Sequence, residues 1–280
     1  MFSMSAQNRL VHHASKNRAR RLQIRARTRS RDRPLHWPKF LQPLSESVRS
    51  EAILNQRYVQ YGCGLSAPEG WISFDASPRL RLERLPGVGF VADTLNLRLF
   101  PSNVAYGDIV AGLPVPDGSV EAIYASHVLE HLAREDVSRA IANTYKALRP
   151  GGVFRMIVPD LASRAERYLR DRREGRGEAA DAFIGACHIG LLQRRRGLVG
   201  TLRSFFGYSG HRWMYDRELM SSLLREAGFV EIRPCEFHDS NDPMFDLVED
   251  RGRFVDDGHT EVALQARRPD EPCVAIRMSA

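Results

Sequence analysis

Short apolar segments alternate with amphipathic segments along most of the chain. The longest amphipathic pattern covers residues 127–148, where Val128, Leu132, Val137 and Ile141 recur at helical spacing. Strands that alternate with helices in this way favour an α/β fold with a mostly parallel, doubly wound sheet. The apolar runs predict strands at 58–61, 71–75, 104–110, 120–126, 153–160, 230–237 and 260–267, and a second amphipathic pattern predicts a helix at 215–229.

Two regions depart from this alternation. Residues 1–44 are rich in Arg and poor in apolar anchors, which predicts a basic, disordered tail ahead of a domain at 45–280. A solvated tail, an arm that meets phosphates and a transit peptide remain open interpretations of that segment. Residues 161–212 form an Arg-rich helical insertion before the last helix and the closing pair of strands. We expect this insertion to act as a lid.

Charge and cysteine content narrow the class of protein. The formal charge is +7, but residues 1–50 alone carry +10, so the remaining 230 residues carry −3. Four cysteines lie far apart with no C-x-x-C pair, which argues against a zinc ribbon and fits a reducing, cytoplasmic compartment. No apolar run is long enough to cross a bilayer, and we therefore expect no transmembrane segment.

Residues suited to nucleotide binding follow successive predicted strands. They are the turn Gly62–Cys63–Gly64, then Asp75, then Asp108 with Ile109, and then Ser126 with His127. The carboxyl ends of parallel strands meet at one edge of a doubly wound sheet, which is where such sheets bind ligands. Glycines allow close approach of backbone to ligand, Asp75 suits ribose hydroxyls, and Asp108 with Ile109 suits an adenine. The sequence therefore predicts an adenosine site.

The same segments resemble a known family. The strings YGCG, WISFD, SHVLEHL, LRPGG and LLREAGF, in that order, are similar to class I S-adenosylmethionine-dependent methyltransferases of the type-11-like group. The resemblance covers about residues 57–268. It implies a Rossmann-like, seven-stranded sheet that ends in a strand hairpin. It also implies S-adenosylmethionine as methyl donor, held by the glycine turn at the methionine part, by Asp75 at the ribose and by Asp108 and Ile109 at the adenine.

Two features depart from the family pattern. Gln60 stands where many members have an acid that meets the ammonium group of the cofactor, so only an amide oxygen is offered there. Only eleven positions separate Gly64 from Asp75, too few for a crossover helix and a strand. We therefore expect a short, irregular first connection.

His127 is the first candidate for a general base or an acceptor-positioning group, because it follows the fourth strand at the cofactor edge. His211 is a weaker candidate, and a packed, satisfied histidine is the alternative for both. The string His127-x-x-Glu130-His131 also matches an inverted zinc-protease signature. The surrounding adenosine constellation favours a structural role instead, with Glu130 satisfying loop amides, and no metal is expected. A metal that assists methyl transfer, with His211 as a distant fourth ligand, is the alternative that stays open. A nicotinamide dehydrogenase is disfavoured because G-x-G-x-x-G is absent.

The acceptor is narrowed by exclusion. Ser126-His127 follows the fourth strand, and not the N/D-P-P-aromatic element of base and amide N-methylases. This leaves hydroxyl, carboxyl or amine acceptors on a small molecule, glycan or lipid, of which we favour a hydroxyl. The alternative hypothesis is a protein that binds nucleic acid or modifies RNA, tethered through basic residues 9–33.

Overall fold

A computed structural model describes residues 57–85, 99–190 and 210–270. The predictions made for the N-terminal tail at 1–44 and for residues 191–209 of the insertion lie outside these ranges. No helix among the described residues is both long and apolar enough to cross a membrane.

Seven of the nine strands among the described residues form one sheet with the order β3-β2-β1-β4-β5-β9-β6. Strands β1 to β5 are mutually parallel, whereas β9 runs antiparallel to both β5 and β6. This confirms the predicted mostly parallel, seven-stranded sheet with an antiparallel closing pair. The strands are β1 (Tyr58–Tyr61), β2 (Trp71–Asp75), β3 (Val104–Tyr106), β4 (Val120–Ser126), β5 (Leu148–Val158), β6 (Val230–Pro234), β7 (Val255–Asp256), β8 (His259–Thr260) and β9 (Val262–Arg267).

The helices pack against this sheet or extend from its edge. Asp216 begins the last of them by accepting a hydrogen bond from the Leu219 amide at 2.8 Å, which satisfies one amide of the first turn. Its buried face carries Met220, Leu223 and Leu224, as the periodicity predicts. The helices are α1 (Pro78–Glu83), α2 (Arg134–Ala147), α3 (Leu161–Arg173), α4 (Ala179–Ala186) and α5 (Arg217–Glu226).

The core lies on both faces of the central strands. On one face α2 and α5 cover a cluster that includes Val59, Ile123 and Phe154, none of which has measurable exposure. On the other face Trp71 and Phe245 pack with their rings in an edge arrangement, 5.6 Å between centroids. The second cluster attaches the segment 245–254 to the sheet.

The longest helix begins later than the sequence pattern predicts. The prediction placed its start at His127, but α2 begins at Arg134, and residues Leu129–His131 form a separate 3-10 turn. His127 instead has a left-handed backbone, with φ of 54°, and its amide donates to the Ile157 carbonyl at 2.9 Å. That bond continues the β4–β5 pairing by one residue, which is incompatible with a helix starting there.

Other boundaries also differ. Strand β3 ends at Tyr106, not near Asp108, because a turn closes there: the Ala111 amide donates to the Asp108 carbonyl and the Gly112 amide to the Ile109 carbonyl. The segment 62–70 between β1 and β2 contains turns and no helix, which confirms the short first connection. Asp108 therefore lies in a loop beyond the strand end.

Candidate active site

The glycine turn after β1 has the backbone geometry that the sequence predicts. Gly62 and Gly64 both have left-handed φ values, 64° and 54°. A Cβ on Gly62 would lie 2.2 Å from Cγ2 of Val128, whereas a Cβ on Gly64 would have no neighbour within 4 Å among the described residues. The left-handed backbone favours glycine at both positions. At Gly62 the close packing of Val128 excludes a side chain as well, whereas the space above Gly64 is open.

Asp75 connects the end of β2 to this turn. Its Oδ2 accepts from the Gly64 amide at 3.0 Å, and its Oδ1 accepts from the Ser77 amide at 2.7 Å. A carboxylate has about four acceptor positions. Asp75 therefore fixes the turn and still retains acceptor capacity on each oxygen for ligand hydroxyls.

A cavity of about 180 Å³ opens beside the glycine turn. Of the residues proposed from the sequence to bind the cofactor, Gln60, Gly62, Cys63 and Ser126 line it. The Gln60 amide nitrogen donates to Ser73 Oγ at 2.8 Å and to the Ser66 carbonyl at 3.0 Å. Both amide hydrogens are thereby engaged, and the amide oxygen is what Gln60 can offer to a cationic group.

Five of the twelve residues that line the cavity come from a segment that sequence reasoning missed. Leu247, Val248, Glu249, Asp250 and Arg253 line the cavity opposite the glycine turn. Two 3-10 turns shape this segment, and no hydrophobic period marks it as part of a site. Its acidic and basic residues gave no signal that distinguishes a cavity wall from a solvated loop.

A buried ion pair holds that segment in place. Arg155 of β5 is 1% exposed, and its Nε donates to Glu249 Oε1 at 2.8 Å. Its Nη1 also donates to Asp239 Oδ1 and Gln265 Oε1, each at 2.8 Å. Both carboxylate oxygens of Glu249 and the guanidinium group of Arg155 have hydrogen-bond partners. The ion pair can therefore be buried without leaving an unpaired charge. The wall of the cavity is therefore tied to the central sheet.

Asp108 and Ile109 lie further along the same edge and do not line this cavity. Asp108 Oδ1 accepts from the Val110 amide at 2.9 Å, and Ile109 is 4% exposed in the core. Asn143 of α2 donates to the carbonyls of Ile109 and Val110 at 2.8 and 3.0 Å. The loop is thus rigidly held, and its contact with an adenine stays a prediction.

His127 lies between the cavity and a buried carboxylate. Its Nε2 is 3.1 Å from the carbonyl of the cavity-lining Arg253, and its Nδ1 is 3.5 Å from Glu130 Oε1. Burial, followed by the charge of Arg253, lowers the pKa of His127 to about 3, so the ring is neutral at pH 7. The Nε2 hydrogen is donated to the Arg253 carbonyl. A role as general base stays a prediction, and Nδ1, which lies near the Glu130 carboxyl group without a hydrogen bond to it, is the ring nitrogen with a lone pair to accept a proton.

His211 lies beside residues 127–131, the HVLEH segment, although it follows them by about eighty residues in the chain. Its ring centroid is 5.1 Å from that of His131, and burial with two neighbouring imidazoles lowers its pKa to about 4. Glu130 is fully buried, which raises its pKa to about 8. The expectation that Glu130 satisfies loop amides with its side chain is wrong within the described residues. Only its backbone carbonyl does so, accepting from the amides of Arg212 and Trp213.

Comparison with known families gives one match. Residues 87–156 match the type 11 family described as a methyltransferase domain. The matched stretch includes β3, β4 and the first part of β5, with the Asp108 loop and the HVLEH segment between them. No curated protein sequence matches the chain.

Many solved structures resemble this chain at low sequence identity and low TM-score. A methyltransferase from Thermotoga maritima is 17% identical and has a TM-score of 0.39, covering 76% of this chain and 82% of its own. One from Archaeoglobus fulgidus is 14% identical with a TM-score of 0.39, covering 79% and 90%. Phosphoethanolamine N-methyltransferase 2 of Haemonchus contortus, in complex with S-adenosylmethionine, is 13% identical with a TM-score of 0.38, covering 79% and 52%. Likenesses at this distance do not inform on substrate.

The sheet order, with five parallel strands and an antiparallel pair at one edge, is the one that the sequence resemblance implies. The family match is to a methyltransferase domain and covers residues 87–156, a quarter of the chain. Methyl transfer from S-adenosylmethionine therefore belongs to the proposed function.

Proposed function

We propose that this protein binds S-adenosylmethionine across the edge formed by the glycine turn, Asp75 and the Asp108 loop, and methylates a hydroxyl group of a small-molecule, glycan or lipid acceptor. The observation that carries the proposal is the cavity beside the glycine turn. Four residues proposed from the sequence alone line it, and Asp75 is hydrogen-bonded to the same turn. The amino-acid end of the ligand would lie in this cavity, with the ribose towards Asp75.

The residues around the cavity suit that ligand chemically. Its sulfonium supplies a methyl group that is already activated, so the protein mainly has to position donor and acceptor in line. The Gln60 amide oxygen would accept from the ammonium group. Asp75 would accept from ribose hydroxyls while it keeps the turn closed. The wall formed by residues 247–253 brings the carboxylate of Asp250 and the guanidinium of Arg253 to the cavity, whereas the charge of Glu249 is already compensated by Arg155.

A hydroxyl acceptor is favoured by the residues after β4. Methyl transfer to a hydroxyl breaks the bond between sulfur and the methyl carbon, forms a carbon–oxygen bond and releases the hydroxyl proton. The sequence there is Ser126-His127-Val128, which offers a hydroxyl and an imidazole and not the planar amide cradle of nitrogen methylases. His127, whose pKa is about 3, is a weak proton acceptor at pH 7, so its expected role is to position the acceptor hydroxyl, whose proton passes to solvent.

Cofactor binding is tested by a matched pair of glycine variants. Gly64 and Gly118 have similar left-handed φ values, 54° and 66°, and a Cβ on either meets no described neighbour within 4 Å. Gly118 precedes β4 at its amino end, away from the cofactor edge. Both Gly→Ala changes therefore add the same backbone strain, but only that at Gly64 places a methyl group where the ligand approaches.

Isothermal titration with S-adenosylhomocysteine measures the outcome. We expect saturable binding to the wild type and to Gly118→Ala, and at least roughly tenfold weaker binding to Gly64→Ala, equivalent to about 1.4 kcal/mol. Absence of binding to the wild type at millimolar ligand would overturn the proposed cofactor site. Equal affinity in both variants would remove Gly64 from it.

The acceptor class is tested with a methyl-labelled donor. Purified protein is incubated with pools of phenols, sugars, amines and total RNA, and the methylated atom is identified by mass spectrometry. Label on oxygen of a small molecule, glycan or lipid supports the proposal. Label on nitrogen, or on RNA, overturns the acceptor assignment and leaves the cofactor assignment standing.

A further inference from the structure

A carboxylate and two imidazoles converge behind the cofactor cavity. One ligand-type atom each from Glu130, His131 and His211 lies within 4.8 Å of the other two. Oε1 of Glu130 and Nε2 of His131 are already 3.8 Å apart. A carboxylate with two imidazoles is a donor set that first-row divalent metals bind well.

Glu130 is the group that most needs a partner. The residue is fully buried, and neither carboxylate oxygen has a hydrogen-bond partner within the part of the chain that the structure describes. An isolated buried carboxylate is costly unless a cation or hydrogen bonds compensate for the lost hydration. The Nδ1 atom of His211 is likewise buried without a hydrogen-bond partner in these ranges. A cation bound between Glu130 and His211 would give both groups the partner that they lack.

Backbone contacts hold the three groups together across a long stretch of chain. The Glu130 carbonyl accepts from the Arg212 amide at 2.7 Å and from the Trp213 amide at 3.2 Å. The amide of His211 in turn donates to the His188 carbonyl at 3.1 Å. His211 is thus fixed beside the 3-10 turn that carries Glu130 and His131, so its position does not depend on a flexible side chain alone.

We propose that Glu130, His131 and His211 form a binding site for a first-row divalent transition metal ion, with zinc as the best-suited ion. Zinc bonds to imidazole nitrogen at about 2.0–2.1 Å. Tetrahedral ligands at that distance lie about 3.4 Å apart. The three groups would therefore need to close by roughly an ångström, which is within the reach of side-chain adjustment.

Three protein ligands leave a coordination position open. An open position is the mark of a catalytic zinc rather than of a structural one. The site is one imidazole away from the cavity, since His127 contacts the carbonyl of cavity-lining Arg253 with Nε2 and approaches Glu130 with Nδ1. A metal here would bind an acceptor oxygen and ease the loss of its proton. This last step rests on the proposed function, whereas metal binding itself does not.

Metal content of tag-free protein tests the site. The protein is stripped with chelator, dialysed against equimolar zinc, manganese or cobalt, and analysed by mass spectrometry for bound metal. We expect about one equivalent of zinc, and visible d–d absorption when cobalt is bound. In Glu130→Gln and His211→Asn we expect zinc affinity to fall by at least about 100-fold.

His238→Asn is the matched control. His238 is exposed, lies outside the cluster and has a left-handed φ of 65°, which asparagine tolerates. It should bind zinc as the wild type does. Circular dichroism shows which variants fold; if Glu130→Gln does not, His211→Asn decides, because His211 is only partly buried.

Two results would overturn the site: a wild-type protein that takes up no stoichiometric metal, or a folded His211→Asn variant with unchanged zinc affinity. Titration of chelator-stripped wild type with S-adenosylhomocysteine is run in parallel. Binding of S-adenosylhomocysteine without metal uptake refutes the metal site alone. Metal uptake without binding of S-adenosylhomocysteine refutes the proposed function alone.

Discussion

Replacing Gly62 with alanine should test how the glycine turn is packed. The new Cβ would lie 2.2 Å from Val128 Cγ2, 3.2 Å from Cγ1 and 3.3 Å from Cβ. Real Cβ atoms do not approach other atoms at the first of these distances, so either the turn or Val128 must move. Val128 is held by the sheet on one side, since His127 before it bonds to the Ile157 carbonyl of β5.

The expected loss of unfolding free energy in Gly62→Ala has two separate contributions. An alanine in the left-handed region costs about 1–2 kcal/mol. Forcing a methyl group into an occupied site costs typically about 1–3 kcal/mol. We therefore expect Gly62→Ala to lower the free energy of unfolding by about 2–5 kcal/mol. Gly64→Ala has the first cost without the second, so about 1–2 kcal/mol is expected there.

A double-mutant cycle with Val128→Ala separates the two costs. Val128→Ala removes both of its methyl groups, and because the side chain is only partly buried we expect a loss of about 1 kcal/mol. In the double variant the 2.2 Å and 3.2 Å contacts no longer exist. The two losses should therefore be sub-additive by about 1–3 kcal/mol, the part that is due to the clash.

Urea unfolding followed by circular dichroism measures all four proteins. The steric explanation fails if the double variant loses the sum of the two single losses, because that result would mean that Val128 does not obstruct the new methyl group. It also fails if Gly62→Ala is no less stable than Gly64→Ala. In either case Gly62 would be required for ligand approach only, as the sequence pattern alone suggests.

Two further predictions concern buried groups. Arg164 donates from both Nη atoms to Glu261 at 2.8 Å, with each residue no more than 4% exposed, so Glu261→Gln should lower stability by about 3 kcal/mol or more in urea unfolding. Glu231→Gln, at an exposed pair with Arg267, should change it by less than about 0.5 kcal/mol, and equal losses would refute the distinction. Burial, with a neighbouring carboxylate, raises the pKa of the Cys63 thiol to about 12, so only about one thiol in ten thousand is ionised at pH 8. Mass spectrometry should show slow alkylation of Cys63 in folded protein, and modification as fast as in urea would contradict this.

The positions of the main strands were predictable because local patterns mark them. Apolar runs bounded by turn residues located β1, β2 and β4 to the residue, and the antiparallel closing pair followed from two adjacent runs at the end of the chain. The short connection between β1 and β2 followed from residue count alone. These features depend on chain order and on side-chain period, both of which are read directly from a sequence.

The part of the cavity wall formed by residues 247–253 was not predictable, because no local pattern marks it. That segment has neither strand nor long helix, and its place over the cavity depends on Glu249 meeting Arg155, ninety-four residues earlier in the chain. Arg155 itself sits in an otherwise apolar strand, where nothing in the pattern says which acid will pair with it. Irregular segments held by distant ion pairs leave no periodic trace.

The H-x-x-E-H string shows how a correct motif led to an incorrect geometry. Helical spacing places His127 and His131 on one face with Glu130 beside them, but the helix does not form there, because the His127 amide extends the β4–β5 pairing. The resulting left-handed residue and 3-10 turn direct His127 to the Arg253 carbonyl. Glu130 and His131 are left to meet His211, which no spacing rule connects with them. The break in the helix is thus what directs His127 to the Arg253 carbonyl while Glu130 and His131 lie beside His211.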